Sequence, residues 1–476
     1  MIANLREPDS DGFLVGASLF AKLPRFFWAV SLAVTAMAAG AEEPGDWEAE
    51  TWGTVNTTTR LFFDSPLDPQ QSRHHASLAF EPTLYIENLD GQSFTFRPHL
   101  RAGESGTNAA GLDIREAYFL TYGNTEAFEW ELRLGIDQVF WGTAESNNLV
   151  NIINQTDFAA DRSGDSRLGQ PMIHGTIAGD FGILNLLVLP YHRPRTFPGR
   201  KGRLRPQPWI SDRSSDIRYT HEDGDNHVDF AARYGTTIGS LDVGVSAFKG
   251  TAREPTLAPK NPTAKVENND LGATNPRLHC YEESELATGL SVKPDRLLQC
   301  YRQIEQVGLD LQLTLGDFLG KAEAITRSGF ETITSTNDSL KKIDYKSDTS
   351  AYKAFVIGGE YSFYGIFESD ADLTLFGEWN QDQRRESATT AFQNDLFLAA
   401  RYNWNDAEET SFTAAVIDDL DYPTRSLSLL FERRLSDSVL INIESFWFLR
   451  SPNNQDNALY PLRDDKFVEV SLVYGF

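Results

Sequence analysis

The chain of 476 residues carries 68 acidic and 43 basic side chains, and its net charge is -25. This acidic balance argues against a nucleic-acid partner, which favours a basic surface. The mean hydropathy is -0.37, and no run of about 20 apolar residues follows residue 41, which excludes a helical membrane protein. An aromatic content of 12% at average hydropathy favours a β-barrel, whose strands expose only alternate residues to lipid.

The amino terminus has the order of a secretory signal. Lys22 and Arg25 precede an apolar run at 26–34, and small residues ending in Ala39-Gly40-Ala41 follow it. We therefore expect a signal peptide at 1–41 and a single barrel domain at 42–476. Cleavage after Ala38 is an alternative. A membrane anchor is a less favoured one, because the apolar run is short.

The carboxy terminus reads as an amphipathic strand that ends in an aromatic residue. One face of this strand carries Val468, Val470, Leu472, Tyr474 and Phe476. The opposite face carries Glu469, Ser471 and Gly475. The alternation and the terminal Phe resemble the assembly signal of outer-membrane barrels, which implies the barrel assembly machinery as a partner.

The same two-residue period recurs at 94–102, 128–136, 307–315 and 439–445. Charged residues at the middle of such strands would be costly in lipid, so we expect them to face a wet lumen. The predicted pore-lining residues are Arg97, His99, Arg101, Glu129, Glu131, Arg133 and Asp137.

The connections between strands set the predicted strand count. Short polar turns lie near 89–92, 124–127, 179–182, 238–241, 315–319, 365–370, 403–409 and 435–438. Longer loops lie near 64–72, 103–111, 142–170, 192–225, 250–302, 331–350, 381–394, 419–425 and 449–465. Short turns inside and long loops outside are typical of outer-membrane barrels. The fold class is therefore all-β, a transmembrane antiparallel β-barrel of about 18 strands, with 16 as the alternative. Residues 215–238 are either one excursion or an extra strand pair.

The predicted width implies a channel. Barrels of about 16–18 strands leave an aqueous lumen. The loop at 141–169 has a Leu/Val/Ile cluster at 149–153, which would be poorly solvated outside, so we expect it to fold inward and narrow the lumen. Alternatively, these apolar residues only plug a gap or cover the lid. The predicted constriction residues are Glu145, Asn151, Asn154 and Asp157.

A motif in the first third of the chain resembles a known group. The run Gly135-Ile136-Asp137-Gln138-Val139-Phe140-Trp141-Gly142, followed by Glu145, Asn154 and Asp157, is similar to porin-like outer-membrane proteins of proteobacteria. That group is largely uncharacterised, and the likeness is specific from about 113 to 250. It implies a barrel with a transport role and names no substrate.

Two further features lie in the predicted loops. The segment 192–205 carries six basic residues and would either attract anionic solutes or bind lipopolysaccharide phosphates and acidic neighbouring loops. Cys280 and Cys300, the only cysteines, would reach an oxidising compartment and are predicted to form a disulfide there.

No catalytic or metal motif stands out, so we expect neither an enzyme nor a cofactor. The sequence favours an outer-membrane channel for passive diffusion of small solutes. A dedicated uptake channel for hydrophobic compounds and a structural or adhesive barrel are the alternatives. Lipopolysaccharide, outer-membrane lipid and small solutes are the expected partners, and assembly into a homo-oligomer stays open.

Overall fold

The computed structural model describes residues 47–476 except 105–106, 108–109, 162–163, 261–295, 331, 339–341, 349, 386–387, 389 and 454–458. The predicted signal peptide at 1–41 therefore lies outside the described residues. Within the described residues, the strands in chain order are β1 (Glu48–Phe62), β2 (His74–Glu87), β3 (Ser93–Gly103), β4 (Gly111–Asn124), β5 (Glu129–Asp137), β6 (Gln170–Gly179), β7 (Gly182–Leu189), β8 (Ile217–Tyr219), β9 (Asp229–Ile238), β10 (Leu241–Thr251), β11 (Thr256–Lys260), β12 (Arg296–Tyr301), β13 (Gln303–Leu315), β14 (Phe318–Ser328), β15 (Thr332–Asp338), β16 (Lys342–Asp348), β17 (Tyr352–Phe363), β18 (Asp372–Asp382), β19 (Asn394–Asn403), β20 (Ser411–Asp419), β21 (Arg425–Ser436), β22 (Val439–Arg450) and β23 (Phe467–Gly475). Single turns of 3-10 helix lie at Ser214–Asp216, Gly224–Asn226, Ile366–Glu368 and Tyr460–Leu462.

Eighteen of these strands form one closed antiparallel barrel. Neighbours in the chain pair around the ring, and β1 pairs with both β2 and β23, which closes it. The ladders have between seven and fourteen register pairs, so the wall is continuous. The predicted fold class and the count of 18 are confirmed, because the eight turns and nine loops fall where the polar segments indicated.

The remaining five strands are not part of the barrel wall. Residues 217–219 form β8, which pairs in parallel with β12, and β12 pairs in turn with β11. The segment 215–238 therefore gives one wall strand, β9, and one strand of this small inner sheet rather than an extra wall pair. Strands β15 and β16 form a separate hairpin in the connection between β14 and β17.

No helix of the described part of the chain is long and apolar enough to cross a membrane.

The wall strands alternate between two environments. On β13, Val307 and Leu309 are 54% and 38% exposed on the outside, while Gln306 and Asp310 are each 2% exposed on the inside. This period of two is the one that a sheet imposes on its side chains. The tight turns at 239–240 and 316–317 each place a glycine at positive φ, as two-residue hairpin turns require.

The outer surface is apolar and ends in a ring of aromatic side chains at the short-turn end of the barrel. Exposed aromatic residues that lie on or beside these turns include Phe128, Trp130, Phe181, Tyr234, Phe318, Tyr361, Phe363, Trp404, Phe412, Tyr474 and Phe476. An apolar band flanked by aromatic residues is the outer surface that a lipid bilayer requires.

Candidate pore and its inner loop

The connection between β5 and β6, residues 138–169, is called the inner loop here. Its described residues contact Arg101 and Arg115 on β3 and β4, and also Glu323 and Glu378 on β14 and β18. Strands β3 and β18 lie nearly opposite each other in the ring. One loop touches both, so it crosses the interior of the barrel.

Glu323 holds the first part of the inner loop. Its carboxylate, 1% exposed, accepts the main-chain N–H groups of Thr143, Ala144 and Val150 at 2.6, 3.0 and 3.1 Å. A carboxylate bound by several amides is a strong, charge-assisted anchor. Gly142 has φ +132° beside this carboxylate, and a Cβ there would lie 2.7 Å from a Glu323 oxygen.

Glu378 holds the next residues in the same way. Its carboxylate accepts the main-chain N–H of Glu145 at 2.8 Å and that of Ser146 at 2.7 Å. The Glu145 side chain, predicted to line the constriction, pairs with Lys321 at 2.6 Å and is 39% exposed. Two wall carboxylates and one wall ammonium therefore hold residues 143–150 against β14 and β18.

The apolar cluster of the loop packs on the inside of the wall. Val150 and Ile153 are fully buried, together with inward residues of β6, β7, β10 and β14, among them Met172 and Phe248. Val150 fits against Gly308 on β13, where a Cβ would lie 2.8 Å from a Val150 methyl carbon. The apolar cluster at 149–153 therefore packs inside the barrel, away from the water that would solvate it poorly.

Asp157, further along the loop, contacts the opposite wall. Its carboxylate pairs with Arg115 at 2.8 Å and Arg101 at 3.5 Å, and it accepts the Thr196 hydroxyl at 2.5 Å. Burial raises the pKa of Asp157, but Arg101 and Arg115 lower it more, so this pKa lies below its usual range. The side chain is 3% exposed and supports the loop from within.

Asn154, another predicted constriction residue, is also buried. Its amide donates to the carbonyls of Asp137 and Leu168 at 2.8 and 3.0 Å and accepts the Val139 N–H at 2.8 Å. It ties the two ends of the loop to each other instead of facing water. Asn151 is only partly buried, and its side-chain oxygen accepts the Trp141 N–H at 3.4 Å.

The predicted pore-lining bases on β3 lie inside the barrel among carboxylates. Arg97 donates to Glu116 at 2.6 Å and to Gln138 at 2.8 Å, and His99 lies 2.8 Å from Glu81. Arg101 is nearly covered by the loop, with 11% of its side chain exposed. All three bases therefore lie beside carboxylates, and Arg97 and Arg101 also contact the inner loop.

The predicted residues on β5 divide into two groups. Arg133 pairs with Glu131 at 2.8 Å and with Asp137 at 3.1 Å. Asp137 is 2% exposed and lies under the start of the loop. Glu131 keeps about a third of its side chain exposed, and Glu129 is exposed on the same face near the short turn.

The basic segment 192–205 crosses the mouth of the barrel. Arg193 pairs with Asp113 at 2.5 Å, Arg203 with Asp465 at 2.7 Å and Arg205 with Asp68 at 3.2 Å. Arg203 also lies over the Phe62 ring, 4.3 Å from its centre. These arginines are 8%, 2% and 2% exposed, so acidic residues of the protein itself, on β4 and in two loops, bind them.

The predicted disulfide has one end in the described structure. Cys300 lies on β12, is 1% exposed and is not a free thiol. Cys280 lies outside the described residues, so the pairing stays a prediction.

Sequence reasoning missed the wall residues that bind the inner loop. Glu323 and Lys321 alternate with Ala322 and Ala324 on β14, so the two-residue period places them inside the barrel. The two-residue alternation cannot show that the inner loop is their partner, because this loop lies far away in sequence. Arg253 is a similar case: it donates to the Ile153 carbonyl and to Asp229, each at 2.9 Å.

Comparisons with known proteins give only remote likenesses. No protein-family profile matches the chain, and no curated protein matches it. Solved structures with a similar course of the chain include OprB of Pseudomonas putida, at 11% identity, TM-score 0.42, and 91% and 94% of the two chains covered. A variant of the Rhodopseudomonas blastica porin aligns at 10% identity and TM-score 0.38, over 90% of this chain and all of the other. At this level of similarity they define neither a family nor a function for the chain.

Proposed function

We propose that the protein is an outer-membrane channel through which small hydrophilic solutes diffuse passively. The observation that carries the proposal is the inner loop, which is tied to opposite walls inside a closed barrel of 18 strands. A barrel of this width holds water unless its own chain fills it. A loop tied to the inner face of the wall narrows such a lumen.

The outer surface supports a membrane location. Its apolar band suits the hydrocarbon core of a bilayer, and the circle of aromatic side chains at the short-turn end suits one membrane interface. A β-barrel exposes no unpaired strand edge to lipid, which is why closed barrels cross membranes. We place the short turns in the periplasm and the long loops outside the cell, as is usual for outer-membrane barrels.

The interior supports passage of polar solutes. Charged side chains that face inward include Arg60 and Glu469, 2.6 Å apart on β1 and β23, and Glu444, directly opposite Glu469 on β22. An uptake channel for hydrophobic compounds would need a lateral opening or an apolar path. The continuous ladders of the wall favour the polar route over a lateral one.

Planar bilayer recording tests the proposal. The purified chain should insert and give stepwise, ohmic conductance in potassium chloride without nucleotide, proton gradient or cofactor. Liposomes that contain it should swell in small sugars and less in larger ones. Insertion without conductance, at all voltages, would favour a structural or adhesive barrel instead.

A further inference from the structure

We infer a binding site for organic cations on the short-turn side of the inner loop, formed by a patch of aromatic and acidic side chains that line the lumen. The inference deepens the proposed function, since it names the solutes that the channel would favour. The vestibule patch, as we call it, consists of Glu50, Trp52, Tyr85, Glu87, Tyr118 and Glu131.

Strand register places these residues on the inner face. Arg60 on β1 points inward to Glu469, and β1 pairs with β2 without a register shift, so Trp52 and Glu50 share the face of Arg60. On β2, Glu81 contacts the lumenal His99, and Tyr85 and Glu87 follow it at even spacing. Tyr118 lies opposite Thr95, two residues from the lumenal Arg97.

The same register sets the height of the patch. Glu50, Tyr85, Thr95 and Tyr118 are successive cross-strand neighbours and form one row across β1–β4. Thr95 precedes Arg97 by two residues, which is about 7 Å along a strand. A solute that passes the Arg97 ion pairs next to the inner loop therefore meets this row next.

The rings are open to the lumen. Trp52 is 45% exposed, and its ring centre lies 6.4 Å from that of Tyr85 at an angle of 50°. The Tyr85 hydroxyl donates to Glu87 at 2.7 Å, which fixes the orientation of this ring. Two non-parallel aromatic faces beside a carboxylate are the surroundings that suit a quaternary ammonium or alkylated amine.

The protein already places a cation on this patch. The Arg133 guanidinium lies over the Tyr118 ring, 5.5 Å from its centre, and is paired with Glu131 at 2.8 Å. This arrangement of ring, cation and carboxylate is the one that an organic cation would repeat between Trp52, Tyr85 and Glu50. Glu50 and Glu87 are exposed on the same face, which makes the patch acidic.

The probe for the test is choline, compared with its uncharged analogue in which a quaternary carbon replaces the nitrogen. Added on the short-turn side of a channel in potassium chloride, choline should reduce the current reversibly at millimolar concentration. The uncharged analogue should not. Trp52→Leu should weaken the choline effect roughly two- to thirty-fold, as expected for one cation–π contact, and Trp52→Phe should retain part of it.

Trp130→Leu is the matched control, because Trp130 is exposed on the outer face of β5 and should leave the choline effect unchanged. Equal effects of the two Leu variants, or equal action of the uncharged analogue, would overturn the inference while the channel stands. Titration calorimetry of choline into the protein in detergent keeps the test independent of conductance. Binding that Trp52→Leu weakens, in a protein that does not conduct, would support the site and refute the channel. No binding in calorimetry would refute the site.

Discussion

The carboxylate of Glu323, which points into the barrel from β14, accepts the main-chain N–H of Thr143 at 2.6 Å. This contact and its two neighbours at Ala144 and Val150 hold the inner loop against the wall. Glu323 thus fixes the position of a loop that begins at the end of β5, six strands away along the ring of 18. We expect the width of the lumen to depend on these contacts.

Glu323→Gln should loosen the inner loop. The amide presents N–H groups to backbone donors, and the hydrogen bonds to a charged acceptor, each worth roughly 1.5–3 kcal/mol, are weakened. We expect larger and noisier single-channel currents and a lower temperature of unfolding. The measurements are single-channel recording in a planar bilayer and the temperature at which the gel band of the folded barrel is lost.

Glu432→Gln is the control for that experiment. Glu432 is a carboxylate on β21 that accepts the Ser411 hydroxyl at 3.2 Å. It should leave current noise unchanged. Quiet, wild-type currents in Glu323→Gln would show that the loop is held by its apolar core alone.

Asp157→Asn should be more damaging than Glu323→Gln. It removes the carboxylate charge that Arg115 and Arg101 share, although Asp113, 3.1 Å from Arg115, stays in place. Breaking one partner of a buried ion pair costs about 3–5 kcal/mol. Urea unfolding, followed by tryptophan fluorescence, should show a midpoint well below that of the wild type.

The pH dependence of this anchor follows from the depressed pKa of Asp157. A carboxyl group whose pKa is lower in the folded state than the unfolded value of about 3.9 stabilises the fold above that value. Its contribution is lost only as the pH falls through the folded pKa. Anchoring of the loop at Asp157 should therefore hold from pH 7 to about pH 4, and the noisier currents of a loosened loop should appear only below that range.

Replacing Arg97 and Arg101 together by Ser should shift ion preference towards cations. The change removes two lumenal positive charges and leaves Glu81, Glu116 and Asp157 in place. Substitutions inside a barrel tune selectivity, whereas charges on its lipid face impair assembly. Reversal potentials in a salt gradient measure the shift, and Lys353→Ser, exposed on the outer face, is the control.

Phe96→Arg tests the register from the other face. Phe96 packs against the buried cluster of Ile114, Ala117 and Ile136, away from Arg97. A guanidinium there should cost about 2–4 kcal/mol near the midplane and reduce the yield of assembled barrel. Normal insertion of this variant would mean that the two faces are exchanged.

Two predictions concern parts of the chain outside the described residues. Mass spectrometry of the outer-membrane protein should give a mature chain that starts at Glu42, and an intact Met1 would contradict the predicted signal peptide.

The same unreduced protein should have no titratable thiol, because a Cys280–Cys300 bridge closes a loop of roughly 20 residues, worth about 3 kcal/mol in the chain-entropy model. Two free thiols would refute the bridge.

The wall of the barrel was predictable because its signal is local. Alternation at Val307, Leu309 and Asp310, and turn residues such as Gly316, depend on neighbours in sequence. The inner sheet was not, since β8 pairs with β12 across a long separation and has only three residues. A period of two cannot be recognised over so short a run.

The candidate site was predictable in part for the same reason. The period placed Arg97 and Arg133 on the lumenal face, and the apolar run at 149–153 indicated an inward loop. It could not show that Asn154 and Asp157 support the loop from within, because their partners Leu168, Arg115 and Thr196 are set by tertiary packing. The sequence pattern around a polar loop residue is the same whether its side chain binds water or the main chain.

Single-channel recording of the wild type beside a variant that lacks residues 143–150 tests the central claim most directly. That segment is the part of the inner loop bound by Glu323 and Glu378. We expect stepwise conductance in the wild type and a clearly larger step in the variant, with both proteins inserted to the same extent. Equal conductance in the two, or none in either, would contradict a channel narrowed by its inner loop.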